Sequence, residues 1–135
     1  MLNPGTYALA DRAITTAINE AQSPIVDLEG MTAVTIQARL AYGSGGTTAK
    51  VYVATSLDNG LTWVDVACLA FGPAGGVKVV NVSGLTPKGI PVVPTDGALA
   101  DDTTVDGVLG DRLRARIVTM GTYSNSILSV RATIR

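Results

Sequence analysis

The stretch T55-S-L-D-N-G-L-T-W63 gathers most of the chemistry this chain has to offer in one place. It sets hydroxyls at Ser56 and Thr62, a carboxylate at Asp58 and the single indole at Trp63 between two apolar runs. Two uses fit such a set. In one, Trp63 is a platform on which a sugar ring stacks, rimmed by polar hydrogen-bonding groups. In the other, Ser56 and Asp58 bond neighbouring backbone N–H groups, and Asn59-Gly60 takes the positive φ angles of a tight hairpin. Local bonding accounts for every polar position, so the turn is the reading carried forward, with Trp63 expected at the edge of the core.

Elsewhere reactive groups are sparse. The chain has no histidine, so Ser–His and Cys–His nucleophile pairs are excluded. Its one cysteine, Cys68, lies in the apolar run V66-A-C-L-A70; it reads as a buried thiol, with no disulfide partner and no thiolate cluster for zinc. The two glutamates, Glu20 and Glu29, leave only scattered aspartates for paired-carboxylate hydrolysis. Asp96, Asp101, Asp102, Asp106 and Asp111 lack the spacing of a calcium-binding loop and read as a solvated acidic segment. No enzymatic activity, metal or cofactor is expected.

The net charge of −1 hides an asymmetry. Residues 1–111 carry all eleven acidic side chains against five basic ones, whereas residues 112–135 carry five arginines and no acid. Arg112, Arg114 and Arg116 project from one expected strand and Arg131 and Arg135 from another. If those strands are neighbours, five like charges share a face, which is unfavourable without acidic partners. Either the preceding acidic loop folds over them, or an acidic surface of another protein does, which makes them the candidate protein interface. The near-neutral balance argues against nucleic-acid binding. No apolar run approaches the length of a membrane-spanning helix, and residues 1–16 lack the pattern of a signal peptide, so a protein of the reducing cytoplasm is expected.

These residues need strands to position them. The 135 residues are read as one domain, 1–135, rich in glycine and proline and poor in aromatics. Apolar and polar positions alternate over 31–40, 49–55, 112–120 and 127–135, residues 61–71 make a further strand, and the short β-branched run 77–82 another. Residues 112–120 and 127–135 are read as a hairpin. Residues 12–19 suit a short helix or a strand, with their β-branched side chains favouring strand. Residues 23–28 suit an edge or bent strand, and residues 1–20 an N-terminal arm or the first strand. The proline-punctuated segment 84–111 reads as a long surface loop with one edge strand at most. About eight strands and no helix give an all-β, two-sheet sandwich of jelly-roll type.

Two resemblances bear on role. Ser56, Asp58, Gly60, Thr62 and Trp63 match the Asp-box, S-x-D-x-G-x-T-W, which in proteins that carry it folds a β-hairpin remote from any active site. Over SPIVDLEGMTAVTIQARLAYGSGGTTAKVYVATSLDNGLTWVDVACLAF and GDRLRARIVTMGTYSNSILSVRATIR the chain resembles small virion proteins of tailed bacteriophages. That resemblance implies a β-sandwich without catalysis, made in the host bacterial cytoplasm and placed in the virion. There it would be a capsid decoration subunit, often trimeric, bound to the major capsid protein, or a neck or tail component. A carbohydrate-binding module for host surface glycans is the reading from a different class.

Overall fold

The computed structural model describes residues 4–135. All regular structure among them is extended: β1 (Gly5–Ile14), β2 (Asn19–Ala21), β3 (Ala33–Ala41), β4 (Ser44–Gly45), β5 (Thr48–Ser56), β6 (Val64–Phe71), β7 (Gly76–Ser83), β8 (Thr103–Thr104), β9 (Arg112–Met120), β10 (Tyr123–Ser124) and β11 (Ser126–Ile134). One sheet has the order β1-β11-β3-β7 and the other β2-β9-β5-β6-β8. Every pairing is antiparallel.

Leaving aside the two-residue strands β4, β8 and β10, eight strands remain. One sheet then holds the first, last, third and sixth of these, and the facing sheet the second, seventh, fourth and fifth. That interleaving is the strand order of a jelly roll, in which the chain passes repeatedly from one sheet to the other.

Period-two alternation builds the core. Val34, Ile36, Ala38 and Leu40 of β3 are buried, as are Leu113, Ala115 and Ile117 of β9 and Leu128, Val130, Ala132 and Ile134 of β11. Thr35, Gln37 and Arg39 point outward from β3. The inner faces of both sheets meet in one apolar cluster that also takes Leu9, Ile14, Leu28, Val51, Leu69 and Phe71.

The expected hairpin of β9 and β11 does not form. β9 pairs with β5 and β2, and β11 pairs with β1 and β3 in the opposite sheet. Alternation shows that a strand has an inward face, but a sandwich has two inward faces, and the pattern is the same for both. The connection 121–125 crosses between sheets and carries β10, which pairs antiparallel with β4 in the other crossing, at 42–47. Tyr123 seals this end: its ring is buried against Gly46, and its amide bonds the Thr15 carbonyl at 2.8 Å.

The N-terminal segment is also rearranged. Residues 12–19 are not one element: β1 ends at Ile14, and β2 begins at Asn19. Residues 5–14 are the first strand rather than an arm, and residues 1–3 lie outside the described part. A bulge between Ala8 and Ala10 buries both Leu9 and Ala10, so the alternation that marks the other long strands is broken here. Residues 23–28 form no strand, yet Ile25 bridges Leu113 and the Leu28 amide bonds the Asp111 carbonyl, which continues the edge of β2 irregularly past Pro24.

The core pattern makes a direct test. Ile36→Ala is expected to destabilise the protein by about 2–5 kcal/mol through the cavity it leaves, whereas Thr35→Ala, one position along on the exposed face, changes stability by less than about 1 kcal/mol. Urea unfolding of the two variants makes the comparison.

Candidate functional site

Strands β5 and β6 run antiparallel and are closed by the seven residues Leu57–Trp63, so the box is a hairpin turn. Asn59 and Gly60 hold φ angles of 60° and 85°, the left-handed conformation that this dipeptide tolerates. The fully buried Ser56 hydroxyl donates to Asp58 Oδ1 at 3.0 Å and accepts the Gly60 amide at 2.8 Å. Asp58 Oδ1 accepts the Thr62 amide at 2.7 Å. These bonds, the Thr62 amide foremost, hold the Asp58 carboxyl below its usual range. Both side chains are consumed in fixing the turn's backbone.

The turn is clamped from outside by residues 110–112. The Gly110 amide donates to Thr55 Oγ1 at 2.9 Å, and the Asp111 amide to the Ser56 carbonyl at 3.2 Å. A Cβ at Gly110 would lie 1.9 Å from that carbonyl oxygen, so only glycine allows the approach. Arg112 bonds both Asp111, at 3.1 Å, and Asn59 of the turn, at 3.3 Å.

Trp63 does not join the core cluster. It lies half-buried on the outer face of the β9-containing sheet, where the Arg114 guanidinium stacks on it with its central carbon 4.1 Å from the ring centroid. A ring face occupied in this way is closed to a sugar.

The five candidate interface arginines are split by the fold. Arg112, Arg114 and Arg116 lie on the outer face of one sheet, and Arg131 and Arg135 belong to β11 and its end in the other. Asp96 bonds Arg114 and also Arg116, at 3.2 Å, and Arg116 reaches Asn19 at 2.9 Å. Arg131 makes a two-pronged contact with Asp11 at 3.0 Å. Burial works against the charge on Arg114, and Asp96 works for it.

Asp96 is delivered by Asp65, a residue that sequence reasoning passed over. Asp65 is 2% exposed and stands in β6 beside Ala54, which in turn faces Arg114. Its carboxylate accepts the Thr95 hydroxyl at 2.8 Å, the Gly97 amide at 2.9 Å and the Ala98 amide at 3.0 Å. Its own amide bonds the Thr95 carbonyl. Gly97 adopts a φ of 89°, and a Cβ there would meet the Arg116 side chain at 2.9 Å. The signal available in sequence was the lone acid in V64-D-V-A-C-L-A-F71, an apolar strand that would not carry an unpartnered charge.

The acidic segment is therefore not simply solvated. Asp101 pairs with Lys50 at 2.8 Å, and Asp102 pairs with Lys78 at 2.9 Å and accepts the Ala70 amide. Asp106 accepts the Ser83 amide at 3.0 Å, and Asp111 takes Arg112. Each of the five aspartates has a protein donor, and no group of three or more metal-ligating side chains occurs among the described residues. The loop they pin covers the outer face of β5 and β6, which is why Tyr52, Ala54 and Cys68 are buried although they face away from the core cluster. Desolvation raises the Cys68 thiol's pKa, with Asp101 adding to it.

Leu57, Asp58, Thr62, Val64 and Pro94 line a shallow depression where the box meets the loop. Exposed apolar residues flank it along the chain: Leu57 is 66% exposed and Leu61 88% in the turn, and Val93, next to Pro94, stands out from the loop. The fold is a jelly-roll sandwich, and at this end of it the carboxylates of the box and of Asp65 are bonded to protein donors. Comparison with family models, curated proteins and solved structures finds no match.

Three outcomes are expected. Asp65→Ala leaves the loop's hydroxyl and amide donors without an acceptor and costs about 3 kcal/mol, whereas Ser56→Ala costs about 1–3 kcal/mol by stranding the Gly60 amide; chemical denaturation reads both. Asp102 has a lowered carboxyl pKa, caused first by Lys78 and then by the Ala70 amide. Its contribution is thus present above about pH 4 and fades as pH falls through the lowered folded-state value. The Tm deficit of Asp102→Asn is expected at neutral pH and should shrink towards zero near about pH 2.

Proposed function

We propose that this protein is a non-enzymatic structural subunit of a phage virion, and that it decorates the capsid by binding the major capsid protein. The observation that carries the reading is the exposed apolar rim of Leu57 and Leu61 on the box with Val93 beside Pro94, on a body whose charged side chains are largely paired internally. Exposed apolar side chains on a turn and on the loop residue next to it suit adhesion to another protein. The bonded box behind Leu57 and Leu61 presents them on a rigid turn, which limits the ordering cost of binding.

The arginines play a different part in this reading from the one their number suggested. A guanidinium already paired and stacked contributes shape and stability more than new charge complementarity. Attachment through the rim is then apolar and weakly dependent on salt, in contrast to a steep loss of binding with ionic strength if the arginines were the contact.

The rim gives the test. Leu61→Asp is expected to weaken cosedimentation with capsids at least about tenfold, as loss of about 1.4 kcal/mol would, with its unfolding midpoint unchanged. Binding by this variant equal to that of the parent chain rejects the rim. Quantifying the protein in purified particles separates the sites: copies on the order of hundreds fit decoration of a repeated capsid lattice, and a handful fit a neck or tail component.

A further inference from the structure

The strand edges are not protected equally. In the β9-containing sheet the edge strands are β2 and β8, three and two residues long. In the other sheet both edges are long, β1 with ten residues and β7 with eight. β1 is blunted by the bulge at Ala8/Ala10 and carries Asp11 and Arg12, features that discourage strand addition. β7, G76-V-K-V-V-N-V-S83, has one charge, Lys78, and its ammonium is turned back to the Ala70 carbonyl and Asp102.

The direction of each β7 backbone group follows from its neighbours. The Gly84 amide bonds the Thr32 carbonyl, towards β3, so the even-numbered residues face that strand. Ser83 faces the other way, where its amide bonds Asp106 and its carbonyl accepts the Gly107 amide. Val77, Val79 and Asn81 share its direction, and among the described residues their outward N–H and C=O groups bond nothing. Val77 and Val79 are 54% and 57% exposed.

We propose that β7 pairs antiparallel with β7 of a second copy about a two-fold axis at Val79. Three open residues spaced two apart are self-complementary under that operation. Val79 meets Val79 of the other copy and Val77 meets its Asn81, each such pair exchanging two backbone bonds. The exposed valines come together across the axis on the outer face. The joined sheets form one continuous eight-stranded sheet, and the capped Ser83 at the end of each strand stops the pairing from extending. This contact does not involve the apolar rim, so it stands or falls apart from the decoration reading. It predicts a dimer where the resemblance implied a trimer.

The contact is short and belongs with small, weak interfaces, so sedimentation velocity is run from about 10 µM to about 1 mM. The expected result is a monomer–dimer equilibrium. Val79→Pro removes one outward N–H without touching the β3 ladder, and is expected to be monomeric throughout with a Tm within about 2 °C of the parent. Val79→Lys, which adds an edge charge, is expected to behave alike and serves if the proline variant unfolds. Hydrogen exchange at the Val77, Val79 and Asn81 amides should slow as concentration rises. A monomer at every concentration, a trimer, dimerisation of folded Val79→Pro or Val79→Lys, or exchange indifferent to concentration would each overturn the pairing.

Discussion

The buried carboxylate of Asp65 is the constraint on which the outer surface of this protein depends. A charge at that depth is tolerable only with its acceptor sites filled, and the Thr95, Gly97 and Ala98 donors fill them. Meeting that demand fixes residues 95–98, which form no strand. Once fixed, the loop sets Asp96 against Arg114 and Arg116, and Arg114 against Trp63. Asp101 and Asp102 then tie the following segment to Lys50 and Lys78. What would be a solvated outer face of β5 and β6 becomes an interior surface that shelters Tyr52 and Cys68. One anchoring acid thereby gives a two-layer sandwich a partial third layer.

The Asp-box belongs to the same economy of polar groups. Ser56 and Asp58 carry hydroxyl and carboxylate chemistry, but their lone pairs and proton are spent on the turn's own amides. Gly110 and Arg112, at the entry to β9, bind the hairpin from the β9 side of β5. Rigidity at this end sits beneath two exposed leucines, Leu57 and Leu61.

Much of this was legible in sequence because it is local. Alternation marked β3, β5, β9 and β11, since each long strand shows one face to the core and a repeat of two survives any tertiary context. The box was legible because all its bonds lie within five residues. Three features were not. β1 was obscured by its bulge, which places Leu9 and Ala10 both inside and breaks the repeat. The assignment of β9 and β11 to opposite sheets was hidden because inward faces look alike whichever layer they line. The docking of the acidic loop was hidden because its pairs join residues 18 to 51 positions apart, such as Asp96 with Arg114 and Lys50 with Asp101. The charge asymmetry did foretell that acids and arginines needed each other; it could not say that five arginines would be divided between two surfaces.

The place of β11 between β1 and β3 carries a consequence for how the molecule comes into being. Gly5 is matched with Ile134, and the Ala33 and Arg135 backbones bond each other, so the sheet's interior strand, the last of its four in chain order, joins only when these distant segments meet. Until then β1 has no hydrogen-bonding neighbour in its sheet, and β3 has only β7. A folding chain holds apolar Leu9, Ile14, Val34 and Ile36 uncovered up to that point, then zips two long-separated ladders at once. Such closure is entropically late and slow, and it makes the docking of β11, rather than collapse of any early segment, the event that commits this protein to its shape.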